Sequence, residues 1–274
     1  MGVLNVTPDS FSDGGRHEKP IDAFARIDAL LEQGAAVIDI GGESTRPGSQ
    51  SVSADEQCKR VLAPIRHAVS RNAVVSIDTT LPEVAYAALD AGALIVNDVS
   101  CLRNGSDLAT AAAKYGAGLI LMHARAPMST MQGFSRCADN DYGDVMCDVM
   151  REWKSAADRA IVAGLDPSLL FFDPGIGFNK NAKHSNEIIR RLAEAKSLGH
   201  RIVMGTSRKS FLAAEVPSPP NQRIGGTVAS CIACARNGAW MLRVHDVVEV
   251  RQALAVARCV GLLNCEDDRV SAHA

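Results

Sequence analysis

Asp78, Asn97, Asp173 and Lys209 each stand at the end of a short apolar run, or just beyond one, on four different runs. A carboxylate, an amide, a second carboxylate and an ammonium facing one apolar mouth suit a flat heterocycle with alternating donors and acceptors. A carboxylate accepts from two N–H groups of an amino-pyrimidine edge, an amide reads one donor and one acceptor, and an ammonium donates to a ring oxygen or nitrogen. One such residue alone reads more simply as a buried ion pair or a strand-end cap; four on four runs favour a ligand. Asn5, Arg46, Arg243 and His245 make a second set. Two guanidiniums and an imidazole suit a multiply charged anion such as a phosphate. Asn5 then offers a neutral oxygen to Mg²⁺ that phosphates already hold. Taken singly, Arg243 or His245 is equally explained by pairing with Asp246 or a helix end. A third set is Ser210 with Phe11, Pro47 and Phe178. GTSRKSFLAAE reads from strand into helix, which places Ser210 near a helix N-terminus, where a carboxylate meets unpaired N–H groups. The two phenylalanines and the proline can sandwich an aromatic ring, although Phe178 by itself reads as loop packing.

These residues need a scaffold that brings distant strand ends together. Eight apolar runs supply it: 2–6, 36–40, 73–77, 93–98, 118–122, 169–173, 201–205 and 240–244. Runs of this length without polar alternation suit parallel strands buried on both faces. Amphipathic segments lie between them, among them IDAFARIDALLEQGA, ADEQCKRVLAPIRHAVS, LPEVAYAALDAGA, VMCDVMREWKSAADRAIVAGL and VVEVRQALAVARCVGLL. Ser53 and Glu56 have capping-box spacing, and Gly34, Gly92 and Gly164 stand where helices should stop. Strand and helix alternating eight times predict a single-domain (β/α)8 TIM barrel over residues 1–274, with an open doubly wound sheet as the alternative. In such a barrel functional groups gather at the carboxyl ends of strands. Asn5, Asp39, Glu43, Asp78, Asn97, Asp98, His123, Asp173, the Ser207-Arg208-Lys209 run, Arg243 and His245 all fall at or after such ends.

The 274 residues carry 29 Lys plus Arg against 31 Asp plus Glu, a net charge of −2. A balance so near neutral, with no basic run, leaves no electrostatic footprint for nucleic acid. No apolar stretch reaches the roughly 18 residues that span a bilayer, and MGVLNVTPDSFSDGG has none of the signature of a secretory signal. The expected location is the cytoplasm, where the eight cysteines stay reduced. Cys231 and Cys234 form a CxxC inside ASCIACARNG, which reads as a small-residue helix with packed core thiols rather than a zinc or redox site. GIGFNK lacks the third glycine of a dinucleotide fingerprint, and GTSRKS lacks the spacing of a P-loop. The polar segments 7–20 and 43–53 leave the expected functional face and have the length of lids that exclude water.

With these motifs in place, the chain resembles dihydropteroate synthase of folate biosynthesis over almost its whole length. MGVLNVTPDSFSDGG and DIGGESTRPGS are similar to the family's two signature loops. SIDTTLPEVA, NDVS, MHARAPMSTMQ, DPGIGF, GTSRKSF and RVHDV follow its later landmarks in order. The resemblance implies condensation of 6-hydroxymethyl-7,8-dihydropterin pyrophosphate with p-aminobenzoate, giving 7,8-dihydropteroate and pyrophosphate. It assigns Asp78, Asn97, Asp173 and Lys209 to the pterin. Asn5, Arg46, Arg243 and His245 go to the pyrophosphate and its Mg²⁺. Ser210 goes to the p-aminobenzoate carboxylate, with Thr45 and Phe178 lining the same region. Among these it makes Asp78, Lys209, Arg243 and His245 catalytic, and it implies a homodimer and a sulfonamide target. The chemistry is consistent with departure of pyrophosphate before amine attack, since the residues contain no Ser-His-Asp or Cys-His nucleophile. The family usually has glycine where Cys101 stands, its order differs in MHARAPMSTMQ, and Trp240 and Met241 are bulky for its last strand. Two other readings share the pterin set: a pterin-dependent methyltransferase barrel, which ejects no pyrophosphate and has no need of the anion set, and a catalytically silent or regulatory pterin-binding paralogue.

Overall fold

Successive residues along the strands face two different apolar neighbourhoods. Val37, Ile95, Ile120, Phe171, Val203 and Met241 pack on one another in one cluster. Their neighbours in sequence, Ile38, Val96, Leu119, Leu121, Phe172, Ile202 and Met204, belong to a second and larger cluster that includes the helices. Strand side chains alternate between faces with period two, so the small cluster fills the inside of a closed sheet and the large one lies between the sheet and an outer layer of helices. Burial on both faces is why the strands read as unbroken apolar runs.

A computed structural model describes residues 1–7, 20–43, 51–127 and 137–263. Its strands are β1 (Gly2–Asn5), β2 (Val37–Gly41), β3 (Val74–Asp78), β4 (Ile95–Asp98), β5 (Gly118–Met122), β6 (Leu170–Asp173), β7 (Arg201–Met204) and β8 (Met241–Leu242). They pair in parallel in chain order. The ring closes where Gly2 bridges Val244: Val3 N–H donates to Val244 O at 3.0 Å, and Val244 N–H donates to Met1 O at 2.9 Å. The helices between them are α1 (Pro20–Glu32), α2 (Ala54–Ser70), α3 (Pro82–Asp90), α4 (Asp107–Tyr115), α5 (Val145–Val162), α6 (Ala182–Arg191), α7 (Ile224–Arg236) and α8 (Val247–Cys259). This is the expected eightfold alternation; the open sheet is excluded by the hydrogen bonds of Val244, just beyond β8, to Met1 and Val3.

Local chemistry sets the helix ends. Ser53 Oγ accepts from Glu56 N–H at the start of α2, and Asp144 accepts from Cys147 N–H at the start of α5. Gly34, Gly92 and Gly164 follow α1, α3 and α5 with φ of 85°, 102° and 101°, a region that L side chains enter at a cost of about 1–2 kcal/mol. Trp153 of α5 seals one side of the sheet, its Nε1–H donating to Leu121 O at 2.9 Å and its ring meeting Phe172 edge-on. Cys231 and Cys234 are buried in the outer core on α7, as expected of packed thiols.

The differences from expectation are local. β8 is only two residues long because the run 240–244 divides its hydrogen bonds: Trp240 and Arg243 donate to β7, and Val244 donates to Met1. β2 extends to Gly41, so Asp39 lies within the strand and not after it. GTSRKSFLAAE does not enter an α-helix. It forms a short 3-10 turn over Ser210–Ala213, and α7 begins only at Ile224.

Candidate active site

The period-two pattern that fills the barrel also builds its mouth. Two residues on from inward-facing Val37, Ile95, Phe171 and Met241 come Asp39, Asn97, Asp173 and Arg243. The same step from Ser76 leads to Asp78. Strand register sets these side by side: Asn5 pairs with Gly41, Gly41 with Asp78, and Asp78 with Asn97. Asp173 pairs with Met122 on the far side of the ring. Gly41 leaves room at the centre of the row. A Cβ there would stand 3.4 Å from the Asp78 Cβ and 3.6 Å from Asn5 Oδ1.

Arg243 crosses the mouth. Its Nε donates to Asp39 Oδ2 at 2.6 Å and its Nη2 to Asp78 Oδ2 at 2.7 Å. Asn97 Nδ2 also donates to Asp39 Oδ2, at 3.3 Å. Asp39 is fully buried, and its second oxygen, Oδ1, has no hydrogen-bond partner. Sequence reasoning grouped Arg243 with the anion-binding residues or with Asp246. The structure joins it to the carboxylate set, because the inward parity of β8 aims it at β2 and β3. Asp246 is taken by Arg208, whose Nε donates to it at 2.9 Å.

Burial pushes the Asp78 carboxyl up to about 7; Arg243 pulls it back, while Asp39, Asp98 and Glu43 add to the rise. Burial also raises Asp173, against the pull of the Lys209 ammonium. Asp173 Oδ1 accepts from Gly175 N–H at 2.7 Å. Lys209 Nζ donates to Ile176 O at 2.6 Å and lies 4.6 Å from the centre of the Phe178 ring. Burial lowers it to about 8, with Asp173 opposing. Phe178 is itself buried with Val99 and Met122. His245 receives a hydrogen bond at its backbone oxygen from Arg26, and its Nδ1 lies 3.0 Å from Ser207 Oγ. Burial and then the Arg243 and Arg208 charges bring it down to about 4, so it is neutral at pH 7.

Of the expected residues, Asn5, Asp78, Asn97, Asp173, Phe178, Lys209, Ser210, Arg243 and His245 all stand at the carboxyl-terminal end of the barrel. Thr45 and Arg46, with Phe11 and Pro47, lie outside the described residues. Ser210 opens a four-residue 3-10 turn, so the expected α-helix N-terminus beside it is corrected. Asp98 faces away from the mouth: it accepts from Ser100 N–H and Leu102 N–H at 2.7 and 2.6 Å and shapes the loop after β4. In that loop Cys101 has φ of 60°, a backbone shape that glycine adopts without strain. Glu43 accepts from Val52 N–H and Gln57 Nε2, tying together the two flanks of residues 44–50.

Sequence reasoning missed two features. Asp39 was noted as polar but not placed in the site; its position two residues beyond Val37 was the available signal. Lys180 was passed over altogether. It is fully buried next to His123, and nothing in its spacing marks it.

The family described as "Pterin binding enzyme" matches residues 1–245. Over 260 residues the chain is 41% identical to the dihydropteroate synthase of Synechocystis sp., covering 94% of this chain and 88% of that one. This chain belongs to the dihydropteroate synthase family. The structure of Xanthomonas albilineans dihydropteroate synthase with 4-aminobenzoic acid superposes with a TM-score of 0.87 at 37% identity, covering 96% of this chain and 93% of that one. The same enzyme in complex with 7,8-dihydropteroate gives 0.83 at 35% identity, covering 96% and 94%. The eight-stranded barrel and its transferase class are therefore those of the dihydropteroate synthases. Among the described residues, no helix is long and apolar enough to cross a membrane.

Proposed function

We propose that this dihydropteroate synthase barrel, residues 1–274 acting as one unit, condenses 6-hydroxymethyl-7,8-dihydropterin pyrophosphate with p-aminobenzoate. The bond from the pterin methylene carbon to the diphosphate oxygen breaks, and its electron pair leaves with pyrophosphate. The amine nitrogen bonds to the same carbon and gives up one proton. The observation that carries this reading is the inward row at the barrel mouth, in which Asn97, Asp78 and Asp173 stand together, buried, above the apolar side chains that fill the barrel interior.

In this reading Asp173 and Asn97 accept from and donate to the amino-pyrimidine edge, and Lys209 donates to a ring oxygen or nitrogen. Asp78 and Asp173 stabilise the positive charge that spreads into the pterin as the leaving group departs. Fixed charges in a water-poor site act more strongly than the same charges in water. Asp78 can turn from Arg243 to the pterin without leaving the guanidinium bare, because Asp39 keeps its own bond to Nε. Arg243 and His245, with Arg46, take up the diphosphate. Ser210 receives the carboxylate of p-aminobenzoate, and Thr45 and Phe178 line the ring.

For Mg²⁺ the described residues offer Asn5 Oδ1, a single hard neutral oxygen beside Asp78; no three His, Cys, Asp or Glu side chains gather into a metal-binding group among them. That donor set fits a cation that arrives with diphosphate oxygens and water as its main ligands. Bound there, it neutralises charge on the leaving group.

The barrel acts in the cytoplasm, in keeping with seven described cysteines that are all free thiols. It works as a homodimer. Val248 and Val256 on α8, and Val260 just beyond it, are exposed at four- and eight-residue spacings along one side of the helix, a stripe that a second copy would cover. The deciding experiment is incubation with the pterin pyrophosphate, p-aminobenzoate and Mg²⁺, with detection of dihydropteroate by mass. Pterin binding without release of pyrophosphate would instead identify a silent paralogue.

A further inference from the structure

Between the loops after β5 and β6 lies a buried ammonium that the reaction as described does not use. Lys180 is fully buried, and its Nζ reaches three acceptors: His123 Nδ1 at 2.9 Å, His123 O at 3.3 Å and Phe178 O at 3.0 Å. An ammonium has three donors and no acceptor, so the group is fully satisfied. The same rule fixes the histidine. Nδ1 must accept, so Nε2 carries the proton and donates to Glu152 Oε2 at 2.9 Å. Glu152 also holds Arg125 from the loop after β5, at 3.0 Å from Nε. The chain of contacts therefore runs from α5 through the end of β5 to Phe178. Phe178 is the residue whose ring lies under Lys209 and whose turn presents Ile176 O to the Lys209 ammonium.

A buried charge is a costly fastener. Apolar side chains of the same volume often hold a loop equally well or better. What the ammonium adds is direction, since its three hydrogen bonds set where the Phe178 carbonyl, and with it the ring, can stand. We propose that Lys180 is a positioning residue for the second substrate, the arylamine, acting through Phe178. This inference rests on the function proposed above. The three hydrogen bonds of Lys180 go to His123 and Phe178 and not to Asn97, Asp173 or Lys209, which meet the pterin in the proposed reaction, so the larger effect falls on the arylamine. Burial disfavours the charge and brings Lys180 down to about 7, with Asp173 opposing; burial likewise lowers His123 to about 4, which keeps that imidazole neutral. Sequence spacing gave no hint of any of this, because Lys180 lies in a loop whose motif, GIGFNK, reads only as a failed dinucleotide fingerprint.

The test is steady-state kinetics with each substrate varied in turn, using the full chain with Mg²⁺. Lys180→Met keeps the buried stem and removes all three donors. It should raise KM for p-aminobenzoate about tenfold, roughly one hydrogen bond's worth of affinity, while KM for the pterin pyrophosphate stays within about twofold. A purely structural lysine gives a different result: less active protein, a lower apparent kcat and both KM values unchanged. Two further variants serve if Lys180→Met does not fold. His123→Asn keeps an acceptor near the position of Nδ1 and should match the wild type. His123→Leu removes that acceptor and should raise KM for p-aminobenzoate alone. Unchanged KM for p-aminobenzoate in the folded variants, or an equal rise for both substrates, overturns the proposal. A wild-type chain that makes no dihydropteroate would instead sink the proposed function, which separates the two failures.

Discussion

Asp78 and Lys209 set opposite limits on when the mouth is ready. In the proposed reaction Asp78 must be ionised to accept from the pterin, and burial raises it to about 7. Lys209 must be charged to donate, and burial lowers it to about 8. Below the first value the carboxyl is protonated, and above the second the amine is neutral. The pH profile of kcat/KM for the pterin pyrophosphate should therefore be a narrow bell, rising near 7 and falling near 8. In Asp78→Asn the acid limb should vanish and kcat/KM fall about tenfold to a hundredfold, the worth of one charged hydrogen bond. An unchanged acid limb in that variant would mean that another group sets it. Arg243 calls for a different measurement. Removing it leaves Asp39 and Asp78 buried without their shared cation, a loss of about 3–5 kcal/mol for a broken buried pair. Urea unfolding of Arg243→Ala should show this loss, and adding Asp39→Asn should return part of the stability without restoring activity.

The elements deliver these residues through strand parity and through a few turns that only one backbone shape satisfies. Gly175 is the sharpest case. Its φ is 69°, its N–H holds Asp173 Oδ1, and a methyl group there would run into the carbonyl oxygen of His123. Gly175→Ala should lower stability by about 2–4 kcal/mol, combining the backbone penalty with a backbone collision. It should also raise KM for the pterin substrate by freeing Asp173, which substrate titration checks. Ser53→Ala at the start of α2 is the contrasting control: loss of one cap should cost about 1 kcal/mol in urea unfolding and leave kinetics untouched. The same distinction explains what the sequence could reveal. The eight runs and the helix caps were legible because each is a local pattern, and Asp78, Asn97 and Asp173 were legible because each closes such a pattern. The pairing of Arg243 with Asp39 and Asp78 was not legible, and Asp39 was left out of the site, because that pairing depends on which way β8 and β2 turn their side chains across the ring. Lys180 was invisible, because its three acceptors come from two loops far apart in the chain. Ser210 was drawn toward a helix by the small and apolar residues after it, but Pro217, Pro219 and Pro220 lie close downstream and the segment closes only a 3-10 turn.

At the scale of the whole barrel, a helical outer layer should be polar wherever it meets water. α8 departs from that rule. Val256 is 56% exposed and Val260 64%, with Val248 two turns earlier on the same side. A closed barrel gains nothing by exposing these side chains, since its interior and its sheet-to-helix layer are already filled by other residues. In the homodimer proposed above, this stripe would meet its own copy across a twofold axis, and each valine would contribute twice. Val256→Lys with Val260→Asp should therefore convert a dimer into a monomer in sedimentation velocity. The monomer should keep its fold, because neither side chain belongs to the core, and circular dichroism should be unchanged. Each described residue of the candidate site lies on a strand of one barrel or in the segment that follows one. The monomer should therefore keep most of its kcat at saturating substrate. A double variant that still sediments as a dimer would place the interface on another face of the helical layer.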